Sequence, residues 1–208
     1  MELTALTVKQ YTELLGSDAP APGGGSASAL CGAQGAALTA MVARLTLGKA
    51  KYAEFEGLCQ KAAEQAGALQ SELLAAIDRD TAAFNKVSAA FKLPKETDEQ
   101  KAARKNAIAE ATLTATEVPF ETMRLARRAL DVCRTLVGKS NASAASDLGV
   151  AALNLLSCVR GAWLNVLINL GGVKDEAARA RFQTEGERME AEAAALADEI
   201  FNAVKAGL

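Results

Sequence analysis

The 208-residue sequence predicts an all-α protein, a helical bundle of about seven helices with a long central helix. Three observations predict it. Half the residues are hydrophobic but only 4% are aromatic, so alanine carries much of the apolar content, and alanine favours helices over sheets. Apolar residues recur in steps of three and four, and no alternating strand pattern competes with them. Breaks at "GSDAPAPGGG", "GKAK", "LPKETD", "VPF", "GKSNAS" and "GGVKD" separate helices expected over 4–15, 26–48, 54–92, 97–117, 119–138, 144–170 and 175–206. Thr97 and Gln100 have the spacing of a capping box. No internal repeat and no dividing linker appears, so residues 1–208 read as a single domain.

Composition narrows the function. The net charge of −2, with no basic stripe, gives no reason to expect a nucleic-acid partner. The amphipathic start "MELTALTVKQYTELLG" lacks the features of a signal peptide. Four cysteines without a C-x-x-C pair read as reduced thiols, which predicts a cytoplasmic protein. The uncharged run from Ser26 to Ala43 is interrupted by Gly, Gln and Thr and is read as a packed helix, with no membrane span expected. Histidine is absent, which removes Ser-His and Cys-His nucleophile pairs and histidine metal sites. No metal-ligand cluster is visible, so any acid–base chemistry falls to carboxylates, lysine, cysteine, tyrosine or water.

The helix over 54–92 has an apolar stripe at Phe55, Leu58, Ala62, Ala66, Leu69, Leu73, Ile77, Phe84, Val87 and Phe91. The position missing between Ile77 and Phe84 is occupied by Asp80. A carboxylate on an apolar seam is costly unless paired or neutral, and desolvation raises its pKa. Asp80 is therefore a candidate general acid or base. The alternative is a structural role, as a buried cap or as the partner of an arginine such as Arg160.

The helix over 144–170 is apolar nearly all round and is expected at the centre. Ser146 is expected as its N-cap, with Asp147 in the first turn. At about 100° per residue, Asp147 and Asn165 share an azimuth, with Asn154 and Asn169 close beside it. Asp147 and Asn165 are about 27 Å apart along the axis, so one small molecule cannot touch both. The strip serves two places, one place and a subunit contact, or close packing alone.

The run "PAPGGGSASALCGAQGAALTAMVARL" places a glycine turn before a helix of small residues. Ser28, Gly32, Ala36 and Ala40 repeat every four residues, as do Ala29, Ala33 and Ala37, which permits close approach of another helix or a flat ring. Close packing accounts for the alanines and leaves Gly23, Gly24, Gly25 and Ser26 unexplained. Free N–H groups at a helix start suit a carboxylate, phosphate or polarised carbonyl. The turn lacks the Lys-Ser/Thr of a phosphate-binding loop and has no preceding strand. The small-residue rows and the all-round apolar central helix need more cover than thin alanine-rich helices supply, which predicts a homodimer.

"PAPGGGSASALCGAQGAALTAMVARLTLGKAKY", "DRDTAAFNKVSAAFKLPKET", "EVPFE", "SDLGVAALNLL" and "GAWLNVLINL" together resemble, in order and over nearly the whole chain, signatures of the cyclodeaminase/cyclohydrolase family. That family includes the C-terminal domain of formiminotransferase-cyclodeaminase and free-standing methenyltetrahydrofolate cyclohydrolases. The resemblance implies an all-helical homodimer that binds a tetrahydrofolate derivative as substrate near the glycine turn, with no tightly bound cofactor. The "GKAKY" loop, often more basic in the family, offers Lys49 as a substrate contact. Ser146, Asn165 and Asn169 join Gly23, Gly24, Gly25 and Ser26 as candidate substrate-binding residues.

Both family reactions act on the one-carbon unit between two folate nitrogens. A cyclohydrolase adds water to the methenyl bridge and opens it to 10-formyltetrahydrofolate. A cyclodeaminase closes a formimino group onto the ring and expels ammonia. A carboxylate suits the proton transfers and the cationic centre in either case, so Asp80 and Asp147 are the candidate catalytic residues. A free-standing chain favours the cyclohydrolase, since no fused transferase delivers the formimino substrate. A helical dimerisation module without chemistry is the reading from another class, and Asp80 fits it poorly.

Overall fold

Helices make up all the regular secondary structure of the described residues, 2–208, in this computed structural model. In chain order they are α1 (Val8–Leu15), α2 (Gly24–Arg44), α3 (Glu56–Phe91), α4 (Asp98–Leu136), α5 (Ala145–Leu170) and α6 (Glu176–Ala206). Short 3₁₀ turns at Leu3–Ala5, Ala50–Phe55 and Ala142–Ala144 lie between or before them. α5 packs against α2, α4 and α6, and α2 also packs against α3, so α5 is central as expected.

The small residues of α2 allow this packing. Ala29, Ala33, Ala36 and Ala40 are buried between α3 and α5. One close approach is at Gly161 of α5, where an added Cβ would overlap the Ser28 hydroxyl and lie 3.2 Å from the Ser28 Cβ. α2 and α5 are each long and apolar enough to cross a membrane, and both are built into the bundle here.

Six helices stand where about seven were expected, because 97–117 and 119–138 are one helix. Pro119 lies inside α4 without ending it. Proline has no N–H, so the carbonyl of Ala115, four residues back, loses its helical donor. Asn169 of α5 supplies a replacement, its Nδ2 donating to the Ala115 carbonyl at 2.9 Å. A long-range amide thus repairs a local break.

Two helix starts also move. α2 begins at Gly24, with Gly23 as its N-cap, so the glycines form the first turn. α5 begins at Ala145, with Ala144 as N-cap. Ser146 is therefore not the cap: the 3₁₀ turn before α5, whose Ser143 N–H is bound by the Asn141 Oδ1 at 3.2 Å, runs straight into the helix. Asp147 remains in the first turn. The Thr97–Gln100 capping box forms as expected, and a second one forms between Thr7 and Gln10.

The stripe on α3 is buried from Ala62 to Ile77 and then opens. Phe84 is 43% exposed and Phe91 is 55% exposed, because the last turns of α3 project past the core. That projection makes one wall of a cavity.

Candidate active site

The cavity has a volume of about 350 Å³ and lies where the start of α2, the end of α3, the middle of α4 and the end of α5 meet. Gly23, Gly24, Gly25 and the Pro20–Ala21 pair form one side. Asp80, Thr81, Phe84 and Val87 come from α3, Ala115 from α4, and Asn165, Ile168 and Asn169 from α5.

Asp80 is held by the first turn of α2. The Ser26 hydroxyl lies 3.0 Å from Asp80 Oδ2, 2.9 Å from the Ile77 carbonyl and 3.1 Å from the Thr81 hydroxyl. Burial pushes the Asp80 pKa up from the ordinary carboxylate value, while hydrogen bonds from the Ser26 hydroxyl and backbone N–H pull it partly back. Desolvation wins, so Asp80 gives up its proton less readily than a free aspartate. Tyr11 is buried in a small cluster with Ala29, Ala76 and Ile77, and its hydroxyl has no hydrogen-bond partner. Its pKa is raised by burial first and by the Asp80 charge second.

Gly25 makes the contact possible. A Cβ there would overlap Asp80 Oδ1 and lie 2.5 Å from its Cγ. Only glycine lets the backbone of α2 approach the carboxylate this closely. No side chain caps α2. The Gly24 and Gly25 N–H groups are therefore first-turn donors without helical acceptors.

On α5, Asn165 donates through Nδ2 to the Gly161 carbonyl at 2.8 Å. Asn169 donates through Nδ2 to the Asn165 and Ala115 carbonyls, each at 2.9 Å. The cavity thus presents one carboxylate with a raised pKa, two side-chain amides, and backbone N–H donors on an apolar floor. Such a set has the chemistry to hold a flat, polar ring and to move a proton at its edge.

Other candidates lie elsewhere. Asp147 and Ser146 start α5, about 27 Å along the axis from Asn165. Lys49 is exposed and caps the 3₁₀ turn that carries Tyr52. The Tyr52 hydroxyl accepts the Ala142 N–H at 3.0 Å, so that turn joins the start of α5. Asp80 thus gathers Gly23, Gly24, Gly25, Ser26, Asn165 and Asn169 around it, and Asp147, Ser146 and Lys49 stand apart. The Asp80–Arg160 pairing does not form, because Arg160 binds Glu190 at 2.7 Å. Among the described residues no group of three acidic or cysteine side chains converges to hold a metal ion. Burial raises the Cys158 pKa and pushes that of Cys133 up to about 12, so neither is a ready nucleophile. Thr81, Val87, Ala115 and Ile168 were missed from sequence. Ala115 had a local signal, its position four residues before Pro119.

A profile described as formiminotransferase-cyclodeaminase matches residues 7–188. The chain belongs to the formiminotransferase-cyclodeaminase family. A methenyltetrahydrofolate cyclohydrolase of Methylorubrum extorquens is 42% identical over 96% of this chain and 96% of its own length. The formimidoyltransferase-cyclodeaminase of Gallus gallus is 33% identical over 86% of this chain, which spans 32% of that longer protein. The crystal structure of a formiminotetrahydrofolate cyclodeaminase from Thermotoga maritima superposes with a TM-score of 0.88, covering 99% of this chain and 98% of that one at 26% identity. The all-helical fold and the family expected from the sequence are both borne out.

Proposed function

We propose that this family member is a methenyltetrahydrofolate cyclohydrolase, acting in the cytoplasm as a homodimer of single-domain 1–208 chains. The observation that carries the reading is Asp80, a desolvated carboxylate on the cavity wall beside free N–H donors. The Methylorubrum enzyme, similar along its full length, favours this reaction over the cyclodeaminase reaction.

The reacting group is an amidinium cation bridging two nitrogens. Ionised Asp80 attracts that cation and takes a proton from the attacking water. The new C–O bond makes the bridge carbon tetrahedral. The Gly24 and Gly25 N–H groups stabilise its oxygen as charge develops. Asp80 returns the proton to the ring nitrogen as the C–N bond breaks, and the remaining hydroxyl proton leaves to solvent as the C=O forms, placing the formyl group on the other nitrogen. The net change is uptake of one water and release of one proton. The chemistry needs no tightly bound cofactor.

For the dimer, the support is on α5. Val150, Leu153, Leu164 and Leu167 are exposed at steps of three and four residues, with Ser157 and Arg160 between them. This seam on the most apolar helix suits a second copy of the chain.

The test is a paired assay of the pure protein. With 5,10-methenyltetrahydrofolate the near-ultraviolet band disappears faster than in buffer, and formiminotetrahydrofolate releases ammonia slowly or not at all. The reverse preference makes the chain a cyclodeaminase, and no acceleration of either makes it a non-catalytic module.

A further inference from the structure

The Pro119 break and the Asn169 side chain act together at the cavity. An asparagine amide has two N–H donors and one acceptor oxygen, and a free amide can present either end to a ligand. Asn169 cannot. Its Nδ2 spends one hydrogen on the Ala115 carbonyl and the other on the Asn165 carbonyl, both at 2.9 Å. The first of these carbonyls lacks a helical donor because residue 119 is proline. Flipping the amide would strand that carbonyl and set Oδ1 against two acceptors. Asn169 lines the cavity, and no protein donor reaches its Oδ1 among the described residues.

We propose that Asn169 is an orientation-locked hydrogen-bond acceptor that reads either the 2-amino group or the N8–H of the substrate's reduced bicyclic ring, and that Pro119 is the positioning residue that locks it. This rests on the folate reading above. It assigns specificity to a residue that does no proton transfer, and it gives the proline a functional reason. Asn165 is left freer, since only one acceptor is bound by its Nδ2. The cavity therefore has one fixed acceptor and one adaptable amide, which suits a ring whose donor edge must point one way.

The test uses the full chain and methenyltetrahydrofolate turnover. Asn169→Leu removes the acceptor and also strands the Ala115 carbonyl, so it carries a folding cost. Asn169→Leu combined with Pro119→Ala restores a helical donor to that carbonyl and keeps the fold testable. The double variant is expected to raise KM about 10- to 100-fold, with kcat changed by less than about 3-fold, as for a lost bond to ground state and transition state alike. Binding of tetrahydrofolate is compared with two analogues, one with methyl in place of the 2-amino group and one with CH₂ in place of the N8–H. The wild type binds one analogue about 10- to 100-fold more weakly than the parent, and the double variant binds that analogue and the parent alike. A double variant with unchanged KM overturns the proposal, as does a wild type that binds the parent and both analogues equally. A wild type that neither binds nor turns over folates overturns the functional reading itself, which is a separate result.

Discussion

The two ends of α5 carry similar residues in different surroundings. At its start, Ser146 and Asp147 follow a 3₁₀ turn, beside the exposed Lys49 loop. At its end, Asn165 and Asn169 face a cavity shared with Asp80 and the glycine turn. Helical periodicity puts both ends on one azimuth, and azimuth alone cannot say which level of the helix meets a partner. Only the far end meets a helix start whose N–H donors are uncapped and a carboxylate that cannot be fully solvated. The difference teaches that a site here is made by what crosses the strip.

The largest expected effect separates the two aspartates. Asp80→Asn keeps the shape, removes the base and lowers kcat about 10²- to 10⁴-fold, whereas Asp147→Asn leaves kcat/KM within about 3-fold. A large loss in Asp147→Asn would mean that the two ends of α5 are brought together between copies, and the contrast within one chain would fail. Stability sharpens the same comparison. Burial raises the folded pKa of Asp80 above its unfolded value of about 3.9, so folding favours the protonated form. Its stabilising contribution is present below about pH 4 and is lost as pH rises through the folded pKa. Asp80→Asn is therefore expected to melt at a higher temperature than the wild type at pH 7, with the gap closing below about pH 4.

A smaller effect is expected from Gly25→Ala, which moves Asp80 without changing any charge. A carboxylate displaced by about 1 Å costs on the order of 10²-fold in turnover, with the helical circular dichroism retained. Full activity would show that Asp80 and the glycine turn are neighbours without being partners. Gly161→Ala tests packing between the two ends. Overlap with Ser28 is expected to cost about 1–3 kcal/mol in urea unfolding. A neutral result would mean that α2 and α5 need not approach so closely.

The smallest effect lies beyond the cavity. Lys95, Lys101, Arg104, Lys105 and Lys174 line a second hollow with Ile108, two turns along α4 from Ala115. If a bound folate directs its glutamate end there, Lys105→Glu combined with Lys174→Glu raises KM several-fold at low salt and little at 0.5 M salt. Equal effects at both salt concentrations would remove the electrostatic account.

Much of this molecule is legible in its sequence for local reasons. Capping boxes, glycine turns and three-four spacing act within a few residues, so five of the six helices could be drawn with ends wrong by only a few residues. The exception, α4, was split because Pro119 is a local breaker whose remedy, Asn169, lies on another helix. Asp80 announced itself by interrupting an apolar stripe. Its neighbour Gly25 stood out as part of the glycine turn, but its contact with Asp80 carried no local signal, because that need for glycine arises only when α2 meets α3. Ser146 was misplaced by a cap that belongs to the preceding turn. Phe84 and Phe91 look like core by period and are exposed, since period reports a face and not where the opposing surface ends.

Ile168 belongs to two surfaces at once. It lines the cavity, and at 81% exposure it flanks the apolar seam of α5. If two copies pair along that seam, folate and the second chain compete for or share the same side chain, and their affinities are thermodynamically linked. Whatever factor ligand occupancy puts on the subunit dissociation constant, subunit association puts the same factor on the ligand constant. Specific activity is then not a property of the chain alone but changes with dilution, and sedimentation with and without bound folate reads the linkage directly.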